Sequence, residues 1–179
     1  MNILVQIVED YNQKYKKEAE KELKWFKIQK SLEDVISNAA LAKGPSGKRF
    51  NHQRRIQRSA LEQARKILLE NIDKIRNTKN FDGLYNIIEE LLQNLRGVGE
   101  LYIYDTALRI GAKLGFEPDK IYLHRGTREG AKYLGLNVNR KYLKMAEIPH
   151  ELRKLKPREI EDALCIYKDK LRKLANKLL

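Results

Sequence analysis

The residues best suited to chemistry begin with Leu95-Arg96-Gly97-Val98-Gly99, set between two apolar runs of helical spacing, Tyr85 to Leu92 and Leu101 to Leu108. Glycine accepts positive φ and lets a foreign backbone come close, and the amides that open a helix carry its positive dipole end. Gly97, Val98 and Gly99 therefore form a candidate phosphate grip, although a plain turn between two helices, closed by a glycine C-cap, fits the same residues. A second stretch, Lys43 to Arg58, holds six Lys and Arg residues and no acid, with Gly44, Pro45 and Gly47 to break any helix. Within it Lys48, Arg49, His52, Gln53, Arg54 and Arg55 combine cations, an imidazole and an amide beside Phe50, the mixture that contacts phosphates and stacks on or reads bases. The other reading of this stretch is a solvated basic loop. A third group, His124, Arg125, Thr127 and Arg128, surrounds a helix start opened by Gly126, with phosphate clamping or acid/base work by His124 as its chemistry and a Thr-capped surface helix as its alternative.

The elements that must position these residues are helices. Apolar residues recur at helical spacing nearly throughout, and long alternating runs are missing, so the chain reads as all-α: a compact multi-helix single domain. Residues 1–42 form lysine-rich N-terminal helices, 43–58 the basic loop, and 59–179 a helical core with the hairpin at 95–100. Ile56, Ala60, Ala64, Ile67, Leu68, Ile72 and Ile75 face inward on the helix after the loop. The helix after the hairpin is apolar nearly all round, with Asp105, Arg109 and Lys113 on one narrow stripe, which predicts a central position. Lys120 to His124 is short and extended in character, Gly126 to Leu134 is a small helix stopped by Gly135, and a loop leads to Pro149. The last helix starts at Pro157 and turns Ile160, Leu164, Tyr167, Leu171, Leu174 and Leu178 inward, with Lys177 among its late cations.

Charge narrows the function. Lys and Arg number 37 against 24 Asp and Glu, a net +13, which favours a polyanionic partner through counterion release and steering. No run approaches the roughly 20 apolar residues of a membrane span, and Met1 to Val8 is too short and interrupted for a signal peptide, so a cytoplasmic protein is expected. One cysteine, Cys165, excludes an internal disulfide and reads as a packed helix residue. His52, His124 and His150 show no metal-ligand spacing, and no metal or other cofactor is expected.

The hairpin resembles the helix-hairpin-helix motif of DNA-repair proteins, carried here by Gly97, Val98 and Gly99 with Ala107 and Ile110 in the following helix. The resemblance implies that the hairpin amides meet one strand's phosphates. Glu100 departs from it by putting a carboxylate where a phosphate would sit. Among the DNA glycosylases of this type the resemblance implies a catalytic aspartate roughly twenty residues beyond the hairpin, a distance that Asp119 matches. It implies no lyase activity, because Leu101 stands where the bifunctional members carry a lysine. Longer blocks, from Gly47 to Ile56 and from Tyr104 to Arg128, are similar to a set of bacterial hypothetical proteins, a resemblance over most of residues 47–165 that implies no particular activity.

The expected function is nucleic-acid binding, DNA before RNA, through the basic loop and the hairpin, with Arg125 and Arg128 extending the track, by a monomer or a homodimer. Two alternatives stand beside it. One is an enzyme of the glycosylase type, or one acting on a phosphorylated substrate, using Asp119, Asp105 or His124. The other is an interaction protein whose lysine-rich first helices pair with an acidic partner.

Overall fold

The computed structural model describes residues 2–176 and shows an all-α protein with one small two-stranded sheet. Leu178 and Lys177, expected on the last helix, lie outside the described residues. The described chain divides into two compact units, one formed by residues 1–19 with 118–179 and the other by residues 20–117.

In the first unit, α1 (Ile3–Lys14) starts at Asn2, whose side chain accepts from the Leu4 amide at 2.9 Å, the ordinary chemistry of an N-cap. Its stripe of Leu4, Ile7, Val8 and Tyr11 packs with Ile160, Ala163, Leu164 and Leu171 of α9 (Pro157–Ile166) and α10 (Lys168–Ala175). These last two replace the single terminal helix expected from Pro157; the chain breaks at Tyr167, whose hydroxyl donates to Asp10 at 2.6 Å. The residues Lys120 to His124 do include a strand, β1 (Lys120–Tyr122). It pairs antiparallel with β2 (Tyr142–Lys144), in what the sequence suggested was loop, with Ile121 opposite Leu143. Three residues per strand are too few to show an alternating pattern, so the pair is invisible to periodicity. Between them α8 (Arg125–Tyr133) lies on α9. Gly126 and Gly130 make this possible: a Cβ on Gly130 would stand 2.1 Å from the Leu164 carbonyl oxygen, and one on Gly126 2.4 Å from Cys165 Sγ.

The second unit begins within α2 (Lys16–Lys27) and continues through α3 (Leu32–Ala40), α4 (Arg58–Glu70), α5 (Ile72–Arg76), α6 (Phe81–Leu92) and α7 (Glu100–Leu114). The helix expected from Ile56 is broken at Asn71 into α4 and α5, and Ala60, Ala64, Leu68 and Ile75 are buried as expected while Leu61 joins them. α3 packs on α4 and α7, and α6 packs on α4 and α7, so α7 is held on two sides as its all-round apolar character requires. Val35, Ile36, Leu84, Ile88, Ala107 and Ile110 fill this core with no exposed surface. Among the described residues no helix is long and apolar enough to cross a membrane.

Candidate nucleic-acid interface

The basic loop of the second unit is a built structure. Gly44-Pro45-Ser46-Gly47 is a tight turn in which the Gly47 amide donates to the Gly44 carbonyl at 2.9 Å, with proline fixing the second position and Gly47 at φ +71°. The turn folds the chain back so that Lys43 bridges to Arg49 and the Phe50 amide reaches the Ala42 carbonyl at 2.9 Å. Residues opposite one another in such a bridge project to the same side, so Lys43 and Arg49 stand as neighbours. Gly44 is closely packed: a Cβ there would stand 3.0 Å from the Phe50 ring, which would have to give way. Arg49 Nη1 donates to the carbonyls of Ile56 (2.8 Å) and Arg54 (3.3 Å), which draws the second half of the loop into a 3-10 turn at Asn51–Gln53. Beside this hairpin lies a cleft of about 260 Å³ lined by Leu41, Lys43, Arg49, Arg58, Leu61 and Glu62. Lys48, Arg54 and Arg55 are exposed around it.

Behind the loop is a polar network centred on Arg109, which is only 2% exposed. Its guanidinium lies 4.0 Å over the Phe50 ring, and it donates to Glu22 through Nε (3.0 Å) and to Gln53 Oε1 through Nη1 (2.9 Å). Gln53 in turn donates to Asp105 at 2.7 Å, and His52 Nε2 bonds the same carboxylate oxygen at 2.8 Å. Burying the guanidinium is tolerable because its charge is matched by Glu22 and Asp105 and its protons are accepted. The hydrogen bond to Asp105 raises the pKa of His52 against the opposing pull of burial. His52 remains half-exposed, its ring stacked beside Phe50, so it presents a cation-prone imidazole on the loop's surface. Gln53, expected as a nucleic-acid contact, is instead buried and wholly engaged by Arg109 and Asp105.

The connection between α6 and α7 brings a second set of donors to the same unit. Gly97 adopts φ +89°, which a side chain would strain, and Gly99 is extended and serves as the N-cap of α7. A Cβ on Gly97 would lie 3.8 Å from that of Ala60, so the turn rests against the first turn of α4. Ser31 and Asn80 cap α3 and α6 with side-chain oxygens, whereas neither Gln57 before α4 nor Gly99 before α7 supplies such an acceptor. Two helix starts without side-chain caps, the cleft beside Arg58, and the exposed Arg96 thus share one region of this unit.

The remaining candidates stand in the first unit. Asp119 is exposed in the turn before β1. His124 is 3% exposed; its Nε2 meets Glu161, and the Thr127 hydroxyl bridges it (2.7 Å) and Glu161 (2.8 Å). This arrangement fastens α8 to α9 and leaves no imidazole surface for a substrate. Arg125 is exposed, but Arg128 reaches inward to the carbonyls of Val138 (2.6 Å), Arg140 (2.8 Å) and Leu123 (2.7 Å), holding the segment after α8 onto β1.

Sequence reading missed Glu22, and placed Arg109 on a stripe with Asp105 and Lys43 at the edge of the basic stretch without giving either a part in the candidate interface. The i, i+4 spacing of Asp105 and Arg109 was a signal for their pairing, at 3.8 Å. Nothing in the sequence tied Glu22 or Gln53 to them. Among the described residues no cluster of His, Cys, Asp and Glu is arranged to hold a metal. No protein-family model, curated protein or solved structure matches the chain.

Proposed function

We propose that the chain binds nucleic acid, DNA in the first instance, by contacting phosphates with the basic loop and with the helix-hairpin-helix-like turn at Gly97 to Gly99. The observation that carries this reading is the seat of Gly97 on Ala60, which gathers two helix starts lacking side-chain caps with Lys43, Arg54, Arg55, Arg58 and Arg96 in one region. Of the acids in this region, Asp105 is engaged by His52, Gln53 and Arg109 and Glu62 pairs with Arg65 at 3.0 Å, while the exposed Glu100 at the start of α7 opposes a phosphate at the hairpin. The net charge of +13 supplies the long-range attraction, and a cytoplasmic setting goes with this role. Lys43, Lys48, Arg54 and Arg55 would neutralise backbone phosphates, the hairpin amides would donate to the oxygens of one more, and His52 would add a contact when protonated.

The test is fluorescence anisotropy with labelled single- and double-stranded DNA and RNA over a salt series. Micromolar or tighter binding that weakens steeply with salt supports the reading; no binding at low salt overturns it. The glycosylase alternative gains nothing from His124, which is sealed against Thr127 and Glu161. It rests on Asp119 alone, and a preference for duplexes with an abasic site or damaged base would revive it.

A further inference from the structure

We infer that the cleft between the Lys43–Arg49 bridge and the start of α4 is a seat for a phosphomonoester, the terminal phosphate of a nucleic-acid strand or of a mononucleotide. The inference deepens the nucleic-acid reading and rests on it where the strand end is the source. Three cations line the cleft against one acid. Among the described residues the Lys43 ammonium has no acceptor, and neither do Arg49 Nε and Nη2, since Nη1 alone holds the carbonyls of Arg54 and Ile56. Arg58 has only a long pairing with Glu62, 3.9 Å, and Glu62 is shared more closely with Arg65 at 3.0 Å. The cleft is therefore electropositive by construction, with the backbone of Lys43 and Arg49 fixed by the bridge and Arg58 supplied by the start of α4.

Two features select a terminal phosphate over one internal to a strand. A monoester carries about −1.5 to −2 at neutral pH and three acceptor oxygens, against a single charge on a diester, so it makes fuller use of converging donors. The volume, about 260 Å³, is at or below the small end of ligand sites and suits one nucleotide rather than a run of them. The half-buried Leu41 gives the lining an apolar part, against which a sugar or base can lie, and Glu62 is an acceptor for an exocyclic amine or a ribose hydroxyl.

The experiment compares one labelled oligonucleotide with a 5′-phosphate and with a 5′-hydroxyl, alongside AMP measured by calorimetry. It uses the full chain and the variants Lys43→Ala and Arg58→Ala, both at exposed positions, with folding checked by circular dichroism. Tighter binding of the phosphorylated strand by about tenfold or more, the scale of one or two charge-assisted hydrogen bonds, and its loss in both variants are expected. Arg54→Ala should weaken both strands alike. Equal affinity for the two strands, with steep salt dependence retained, overturns the seat and leaves the nucleic-acid reading standing. Saturable AMP binding that Lys43→Ala abolishes, without binding of any strand, keeps the seat with a free nucleotide as its source and overturns the nucleic-acid reading. Binding of neither overturns both.

Discussion

Arg109 shows how one side chain decides whether the candidate interface exists. Its guanidinium ties Glu22, Gln53 and the Phe50 ring together, and Gln53 and His52 then hold Asp105. Arg109→Leu leaves these groups without their cation in a buried setting, and a loss of about 3 kcal/mol is expected, because removing one partner of a buried pair costs far more than the pair contributes net. Urea unfolding of the variant measures it; a change under about 1 kcal/mol would mean that the network is not coupled to folding. His52 gives the same network a pH dependence. Its folded pKa is raised above 6.5, mainly by the hydrogen bond to Asp105, so the protonated pair stabilises the fold fully below pH 6.5 and loses that effect as pH rises through the folded value. Because His52 is half-exposed, the difference between wild type and His52→Gln should be only about 0.5 kcal/mol at acidic pH, fading at alkaline pH. Denaturation curves across that range check the sign.

At the scale of elements, glycines separate what the fold needs from what a ligand would need. Gly130→Ala forces a methyl group onto the Leu164 carbonyl, so α8 and α9 must move apart, and a loss of about 2–3 kcal/mol is expected by thermal or urea unfolding. Gly99 is the opposite case. It is extended, and a Cβ there meets nothing within 4 Å, so Gly99→Ala should cost no more than about 1 kcal/mol, the poorer N-cap being offset in part by a stiffer unfolded chain. If phosphates approach the hairpin, the added methyl group weakens DNA binding several-fold; unchanged affinity would remove the hairpin from the interface. The sequence showed the helices well where a stripe and a boundary agreed. Leu84, Ile88 and Leu92 behind Asn80, and Ile160 and Leu164 behind Pro157, are instances in which capping chemistry and periodicity point to one answer. It showed the site only in outline. The turn at Gly44 to Gly47 and the exposed arginines were legible as local chemistry, whereas the inward use of Gln53 and Arg128 depends on residues brought near by folding, and no spacing encodes that. The close seat of α8 on α9 was equally hidden, because Gly126 reads as the opening of an anion-binding helix start and Gly130 carries no signal until Cys165 and Leu164 are seen behind them.

The whole molecule carries +13, and the useful question is how much of that charge acts at one place. Dispersed charge attracts any polyanion weakly, whereas a defined track releases a fixed number of counterions. Several cations are already committed within the protein: Arg109 to Glu22, Arg140 to Glu147, Lys168 to Glu129, and Arg128 to backbone carbonyls. The basic loop is different, since Lys43, Lys48, Arg54 and Arg55 form no ion pair among the described residues. If the proposed contacts form, the hairpin and His52 bring the total to about six phosphates, and log affinity should fall against log salt with a slope of about −5 for duplex DNA. Replacing Arg54 and Arg55 together with alanine should reduce that slope by about 2 and weaken all sequences alike, because each removed phosphate contact takes about one counterion with it. A double variant that keeps the wild-type slope but loses preference among sequences would instead make these arginines readers of bases. One that keeps both slope and affinity would put the interface on another face, with the charge of the loop serving only the general field of the protein.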